Sequence, residues 1–157
     1  MVCFSKQKVL FVAIPTTSGS GSEVTDFAIL THNGVKHPLI DESLQPDVAI
    51  LDSDLLKQLP PGLIADTGFD VLSHAAEAFV ATGASPMTDA LAKEAFCTAL
   101  ALLPGSFAGN TALRGPIHQA ATMAGLAFTQ SGLGLCNAIA HTLGAIYHIP
   151  HGRLIAV

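Results

Sequence analysis

The pattern of apolar and polar positions changes character near residue 53. Before it, apolar residues come in short continuous or alternating runs bounded by Gly, Pro, Asn and Asp, which is the mark of strands. "VLFVAIP" (Val9 to Pro15) reads as a continuous apolar strand. It belongs to an opening segment, "MVCFSKQKVLFVAIP", whose apolar run is too short to span a bilayer and which lacks a small-residue cleavage pattern. "TDFAIL" (Thr25 to Leu30) follows a polar glycine loop, Asn33-Gly34 predicts a hairpin turn into "VKHPLI", and "DVAILD" (Asp47 to Asp52) is a further strand.

After residue 53 the apolar period becomes helical. Ser53 or Asp52 can cap a short "DLLKQL" helix that the Pro60-Pro61 pair stops, and "GLIADTGFDVLSHAAEAFVA" then runs for several turns until Gly83. "SPMTDALAKEAFCTALALL" has Ser85 as N-cap and Pro86 at its first helical position, with Pro104-Gly105 ending it. Two more helices follow, from about Leu113 to Phe128 and from Leu133 to Tyr147. The fold class expected is α/β followed by all-helical: the edge of an α/β unit joined to a helical bundle.

Composition narrows the partners. The chain has 157 residues, 50% of them hydrophobic, enough for a folded core. Charged residues make up 12%, and the net charge is −5, so no nucleic acid and no membrane is expected as a partner. Few charges are available to cover the outer faces of the Ala- and Leu-rich helices, so some apolar surface is expected to face other polypeptide. Cys3, Cys97 and Cys136 are scattered without metal-type or disulfide-framework spacing, which fits a reducing compartment, the cytoplasm.

The candidate chemistry is concentrated in two segments. Asp70 and His74 in "DTGFDVLSHAAEAF" stand at i and i+4, so one helix face carries a carboxylate and an imidazole, half of a mixed O/N site for a divalent transition metal. A carboxylate in so apolar a stretch is costly to bury unless paired or metal-bound. A surface carboxylate beside a histidine is the plainer alternative. Further on, "GLGLCNAIAHTLGAIYHIPHG" places His141, His148 and His151 within eleven residues, and each alone could equally be packed or exposed. The loop "PTTSGSGSEVT" (Pro15 to Thr25) follows a strand and leaves backbone N–H groups and hydroxyls free for an anion such as phosphate, or is simply a solvated turn. It is neither a Walker loop nor a GxGxxG fingerprint.

Five segments in order, "AIPTTSGSGSEVT", "KHPLIDESLQPDVAILD", "LPPGLIADTGFDVLSHAAEAFV", "HQAATMAGLAFTQSGLGL" and "AIAHTLGAIYHIPHG", together resemble the iron-containing (group III) alcohol dehydrogenases, near the branch that serves ethanol or ethanolamine metabolism. The resemblance implies a two-domain enzyme with the active site in the cleft between a dinucleotide-binding α/β domain and a helical metal-binding domain. Residues 1–52 would be the C-terminal part of the first and residues 53–157 the N-terminal part of the second. The family's glycine-rich "GGGS" phosphate loop has no counterpart in this sequence, so the chain is expected to be an internal fragment or a truncated product.

Carried over by position, the resemblance implies Asp70, His74 and His151 as metal ligands. The position of the family's third ligand, a histidine, holds Asn137. His141 matches a histidine near the substrate, a candidate proton relay, and His148 is expected to line the cleft. Thr16, Thr17, Gly19, Gly21 and Ser22 match the loop that touches the dinucleotide, and Lys36 a lysine near it. The cofactors implied are Fe2+, with Zn2+ possible, and NAD or NADP. The activity implied is hydride transfer between nicotinamide and a small primary alcohol or aldehyde, in an enzyme that is a homo-oligomer at full length. Two alternatives stay open: a non-catalytic truncated remnant, and a metal-dependent hydrolase built on the Asp/His cluster, for which no general-base glutamate stands beside the site and Glu77 is only a loose candidate.

Overall fold

A computed structural model describes residues 9–33 and 35–157. The strands come first: β1 (Val12–Ala13), β2 (Phe27–His32), β3 (Val35–Ile40) and β4 (Val48–Ala49). They form two small sheets, β1 with β4 in parallel and β2 with β3 antiparallel, the latter in register from Phe27 opposite Ile40 to His32 opposite Val35. Five helices follow: α1 (Pro61–Val80), α2 (Pro86–Phe107), α3 (Arg114–Ser131), α4 (Leu135–Tyr147) and α5 (His151–Ile155).

The strands are shorter or shifted relative to the apolar runs. Only Val12 and Ala13 of the Val9 to Pro15 run, and only Val48 and Ala49 of the Asp47 to Asp52 run, pair with a neighbour. Strand length is set by how far a partner offers backbone groups, whatever the side-chain pattern. The Thr25 to Leu30 run slides two residues to Phe27–His32, because Ser22–Val24 is taken by a 3-10 turn. Asn33 has the positive φ of 50° that a tight hairpin demands. Gly34, its partner in the expected turn, and Cys3 with the opening residues to Lys8 lie outside the described residues.

Helix ends differ for local reasons. The "DLLKQL" segment is a 3-10 turn over Ser53–Leu56, capped by the Asp52 side chain, and too short for a second α-turn before Pro60. Helix α1 stops at Val80, ahead of Gly83. Helix α2 begins as expected, with Ser85 and Thr88 closing a reciprocal capping box. It passes through Pro104 to Phe107, since Pro104 lies on the exposed side, where water can take the carbonyl its ring leaves unbonded, and Ala108 N–H then bonds to the Pro104 carbonyl. Helix α3 extends past Phe128 to Ser131, α4 begins at Leu135 rather than Leu133, and α5 was not anticipated.

The core lies between α1, α2 and α3 and is built of small residues. Val71 and Ala75 of α1, Ala95 and Ala99 of α2, and Ala120, Ala121 and Ala124 of α3 are almost wholly buried together. Alanine brings helix axes close, and Gly68 closes the gap further, for a Cβ there would overlap the Leu103 side chain. This tight bundle holds α1 rigidly, with Asp70 and His74 on the side facing the hairpin, α4 and α5.

Candidate metal centre and cofactor cleft

Asp70 and His74 sit one turn apart on α1, both buried, and α5 brings His151 over them. The approach of α5 depends on Gly152, where any Cβ would overlap the Asp66 carbonyl. An Arg153–Asp66 ion pair at 3.0 Å holds the outer side of the same contact. His74 Nε2 and His151 Nε2 each lie 3.5 Å from Asp70 Oδ1. One ligand atom from each of the three residues falls within 4.8 Å of the others.

Asp70 Oδ1 is buried and has no hydrogen-bond partner. The Gly19 carbonyl lies 3.2 Å from His74 Nδ1 and accepts its proton, which leaves Nε2 as a bare lone pair aimed at the carboxylate. A buried carboxylate oxygen facing the His74 lone pair is unfavourable unless a cation joins them; His151 Nε2, which donates to Asn137 Oδ1, would give up that proton to an ion. Spacings of about 3–3.5 Å are the edges of a coordination polyhedron with bonds of roughly 2.0–2.2 Å. The residues present therefore fit a divalent metal ion.

Asn137 completes the ring. It is 2% exposed, and its Oδ1 lies 3.0 Å from His151 Nε2. Its Nδ2 donates to Glu77 Oε2 at 2.7 Å and to Ser73 Oγ at 3.2 Å. Glu77 also accepts from Gly134 N–H at 2.9 Å and Cys136 N–H at 2.6 Å, the free donors at the N-terminus of α4, which has no side-chain cap of its own. Both Glu77 oxygens are thus engaged, so the carboxylate acts as a cap and a prop rather than as the general base a hydrolase would need. Sequence reasoning missed this role; Gly134, where a Cβ would stand 2.8 Å from Glu77 Oε1, is the one local trace of it.

His141 stacks on His151 with ring centroids 4.2 Å apart, and its Nδ1 is buried without a partner. Burial chiefly holds its pKa below the usual histidine value, helped by the positive charge of Lys36 and by His74. Burial also pushes His151 down, to about 4, against the opposing pull of Asp70. Lys36 reaches α4, its Nζ 3.6 Å from where a Cβ on Gly144 would stand.

A cleft of about 290 Å³ opens in front of these groups. Asp70, His74, His141 and His151 are its titratable groups, Ser20, Ser22 and Thr25 its hydroxyls, and Phe27, Ala28, Ile29, Phe128 and Leu133 the apolar remainder. Of the expected dinucleotide loop, Ser22 lines the cleft, Gly19 touches His74, and Gly21 packs on Gly125 of α3, whereas Thr16 and Thr17 are not among its lining residues. His148 does not line the cleft: it is exposed, in the left-handed conformation that ends α4, because the turn into Pro150 needs a positive φ there.

The family model for iron-containing alcohol dehydrogenases matches residues 3–53, and that for the C-terminal part of the same family matches residues 64–157. The chain belongs to the iron-containing alcohol dehydrogenase family. Among curated relatives, the 1-propanol dehydrogenase PduQ of Citrobacter freundii is 50% identical over 145 residues, which cover 90% of this chain and 39% of that protein. The NADPH-dependent butanol dehydrogenase of Clostridium saccharobutylicum is 46% identical over 154 residues, 97% of this chain and 40% of that one. The iron-containing alcohol dehydrogenase of Thermococcus thioreducens superposes with a TM-score of 0.91 at 44% identity, over 97% of this chain and 40% of that one. The sulfoacetaldehyde reductase of Bifidobacterium kashiwanohense, solved with NAD+, superposes equally well, at 0.91 and 36% identity, over 96% and 41%. The chain thus spans about two fifths of the length of these members of the iron-containing alcohol dehydrogenase family.

Proposed function

We propose that this chain carries the metal-binding and proton-relay part of an NAD(P)-linked alcohol dehydrogenase that interconverts a small primary alcohol and its aldehyde in the cytoplasm. The observation that carries the reading is the buried, unpartnered Asp70 Oδ1 with an imidazole nitrogen 3.5 Å away on either side. Asp70, His74 and His151 would hold Fe2+ or Zn2+, and an ion held there supplies Lewis-acid polarisation of the alcohol or aldehyde oxygen. Support for the substrate class comes from the propanol and butanol dehydrogenases among the relatives.

The chain's own groups then have distinct tasks. Phe27, Ile29, Phe128 and Leu133 exclude water from the reacting carbon and suit a short aliphatic chain. His141, kept neutral by burial and by Lys36, can take the alcohol proton on a ring nitrogen at neutral pH and pass it outward. On this reading the nicotinamide cofactor, NAD or NADP, would approach from the Gly19, Gly21 and Ser22 loop, where Ser22 lines the cleft, and from Lys36, while Thr16 and Thr17, which do not line it, could meet only the part of the dinucleotide outside it. Residues 1–52 belong on this reading to the cofactor-binding domain, residues 53–157 to the metal-binding domain, and the full-length enzyme is a homo-oligomer.

The test is calorimetric titration of the chain with Zn2+. Asp70→Ala, His74→Ala and His151→Ala are each expected to lower affinity by tenfold or more, on the order of one lost ligand, while His148→Ala leaves it unchanged. Equal loss at His148 would refute the ligand assignment. The chain alone is expected to show at most trace NAD-dependent alcohol oxidation.

A further inference from the structure

We infer that Asn137 is a ligand in its own right, a neutral oxygen donor whose amide is turned toward the metal by Glu77 and Ser73, and that it makes this site less selective for zinc than an Asp/His3 set. The inference rests on the metal-site reading above and goes beyond it, because the family pattern puts an imidazole where this chain has an amide.

An amide can present either end. Here the choice is fixed: Nδ2 donates to Glu77 Oε2 at 2.7 Å and to Ser73 Oγ at 3.2 Å, so only Oδ1 faces the cluster, 3.0 Å from His151 Nε2. Glu77 is itself anchored by two backbone N–H groups of α4 and cannot swing away without opening that helix end. A carboxylate accepting from an amide N–H also draws negative charge toward the amide oxygen, as a carboxylate does behind a metal-bound imidazole. Asn137 is almost wholly buried, and without a metal its oxygen accepts from His151 Nε2–H; a metal would replace that proton, which would move to the unpartnered His151 Nδ1.

The donor set is then two oxygens, from Asp70 and Asn137, and two nitrogens, from His74 and His151. Carbonyl and carboxylate oxygens suit Mn2+ and other hard ions, whereas imidazole favours Zn2+. Exchanging the amide oxygen for a third imidazole should therefore raise zinc affinity much more than manganese affinity.

Calorimetric titrations with Zn2+ and with Mn2+ on the unmodified chain and on Asn137→His, Glu77→Gln, Ser73→Ala and Asp70→Ala decide the matter. Asn137→His is expected to tighten Zn2+ by roughly tenfold or more and Mn2+ by clearly less, raising the Zn2+/Mn2+ ratio. Glu77→Gln keeps the size but turns a donor toward Asn137 Nδ2 or forfeits a helix cap. It is expected to weaken both ions by about tenfold, and Ser73→Ala by less, the range in which outer partners of metal ligands act. A ratio unmoved in Asn137→His, together with unchanged binding in the milder Ser73→Ala and in Glu77→Gln, overturns the inference. Asp70→Ala separates the two readings: if it too leaves Zn2+ binding intact, the metal site itself is wrong, and if it abolishes binding while the Asn137 and Glu77 variants behave as wild type, only the role of Asn137 falls.

Discussion

His118 is a titratable side chain sealed away from the cleft. It is 2% exposed, its Nδ1 lies 3.0 Å from Ser18 Oγ, and its Nε2 has no partner. Burial holds its pKa below the ordinary value, with the Glu23 and Asp52 charges pulling the other way. A histidine of depressed pKa is neutral in the folded state while the unfolded chain takes up its proton first. Its contribution is therefore intact above an unfolded pKa of about 6.5 and is lost as the pH falls below that. Urea unfolding at pH 7.5 and pH 5.5 should show stability dropping with acid, and His118→Gln should make the drop smaller. An unchanged drop would mean that other groups carry the acid sensitivity. At this scale the shared, buried face of Asp70 and His74 on α1 was legible, because spacing along one helix face is a local property. The roles of Glu77 and Ser73 were not, since each meets Asn137 across some sixty residues that no local pattern connects.

The elements are positioned by close approaches. Gly21 has a φ of 64°, and a Cβ there would stand 2.8 Å from Gly125 Cα, so the loop that brings the Gly19 carbonyl to His74 can dock on α3 only without a side chain. Gly21→Ala is expected to cost roughly 1–3 kcal/mol, measured by urea unfolding, and to weaken Zn2+ binding through the displaced Gly19 carbonyl. Full affinity in a destabilised variant would separate the loop from the site. Helix identities were readable from period and caps, as Ser85 with Pro86 illustrates. The strands were overestimated because an apolar run records burial wanted, and only a neighbouring backbone decides how much of it is paired. The short helix α5 was invisible, for what makes it is the fit of Gly152 against Asp66.

At the scale of the whole molecule, the parallel pair β1 and β4 is unusually bare. Parallel sheets are normally covered on both faces, yet Leu10 is 67% and Phe11 49% exposed beside β1, and Ile50 is 46% exposed beside β4. The low charge fraction had pointed to apolar surface in need of cover, and here it is. In solution the chain is expected to self-associate as its concentration rises, and Leu10→Lys with Ile50→Lys should reduce this; sedimentation velocity checks it, and a monomer at all concentrations would contradict it. Among the described residues, no helix is long and apolar enough to cross a membrane. The carboxylate that fastens the first turn of α4 is also the one that orients Asn137, so an ion held as proposed above should steady that helix end. The amide hydrogens of Gly134 and Cys136 should then exchange with deuterium slowly when the ion is in place and quickly once a chelator removes it, making two backbone groups outside the cleft the clock by which its occupancy is read.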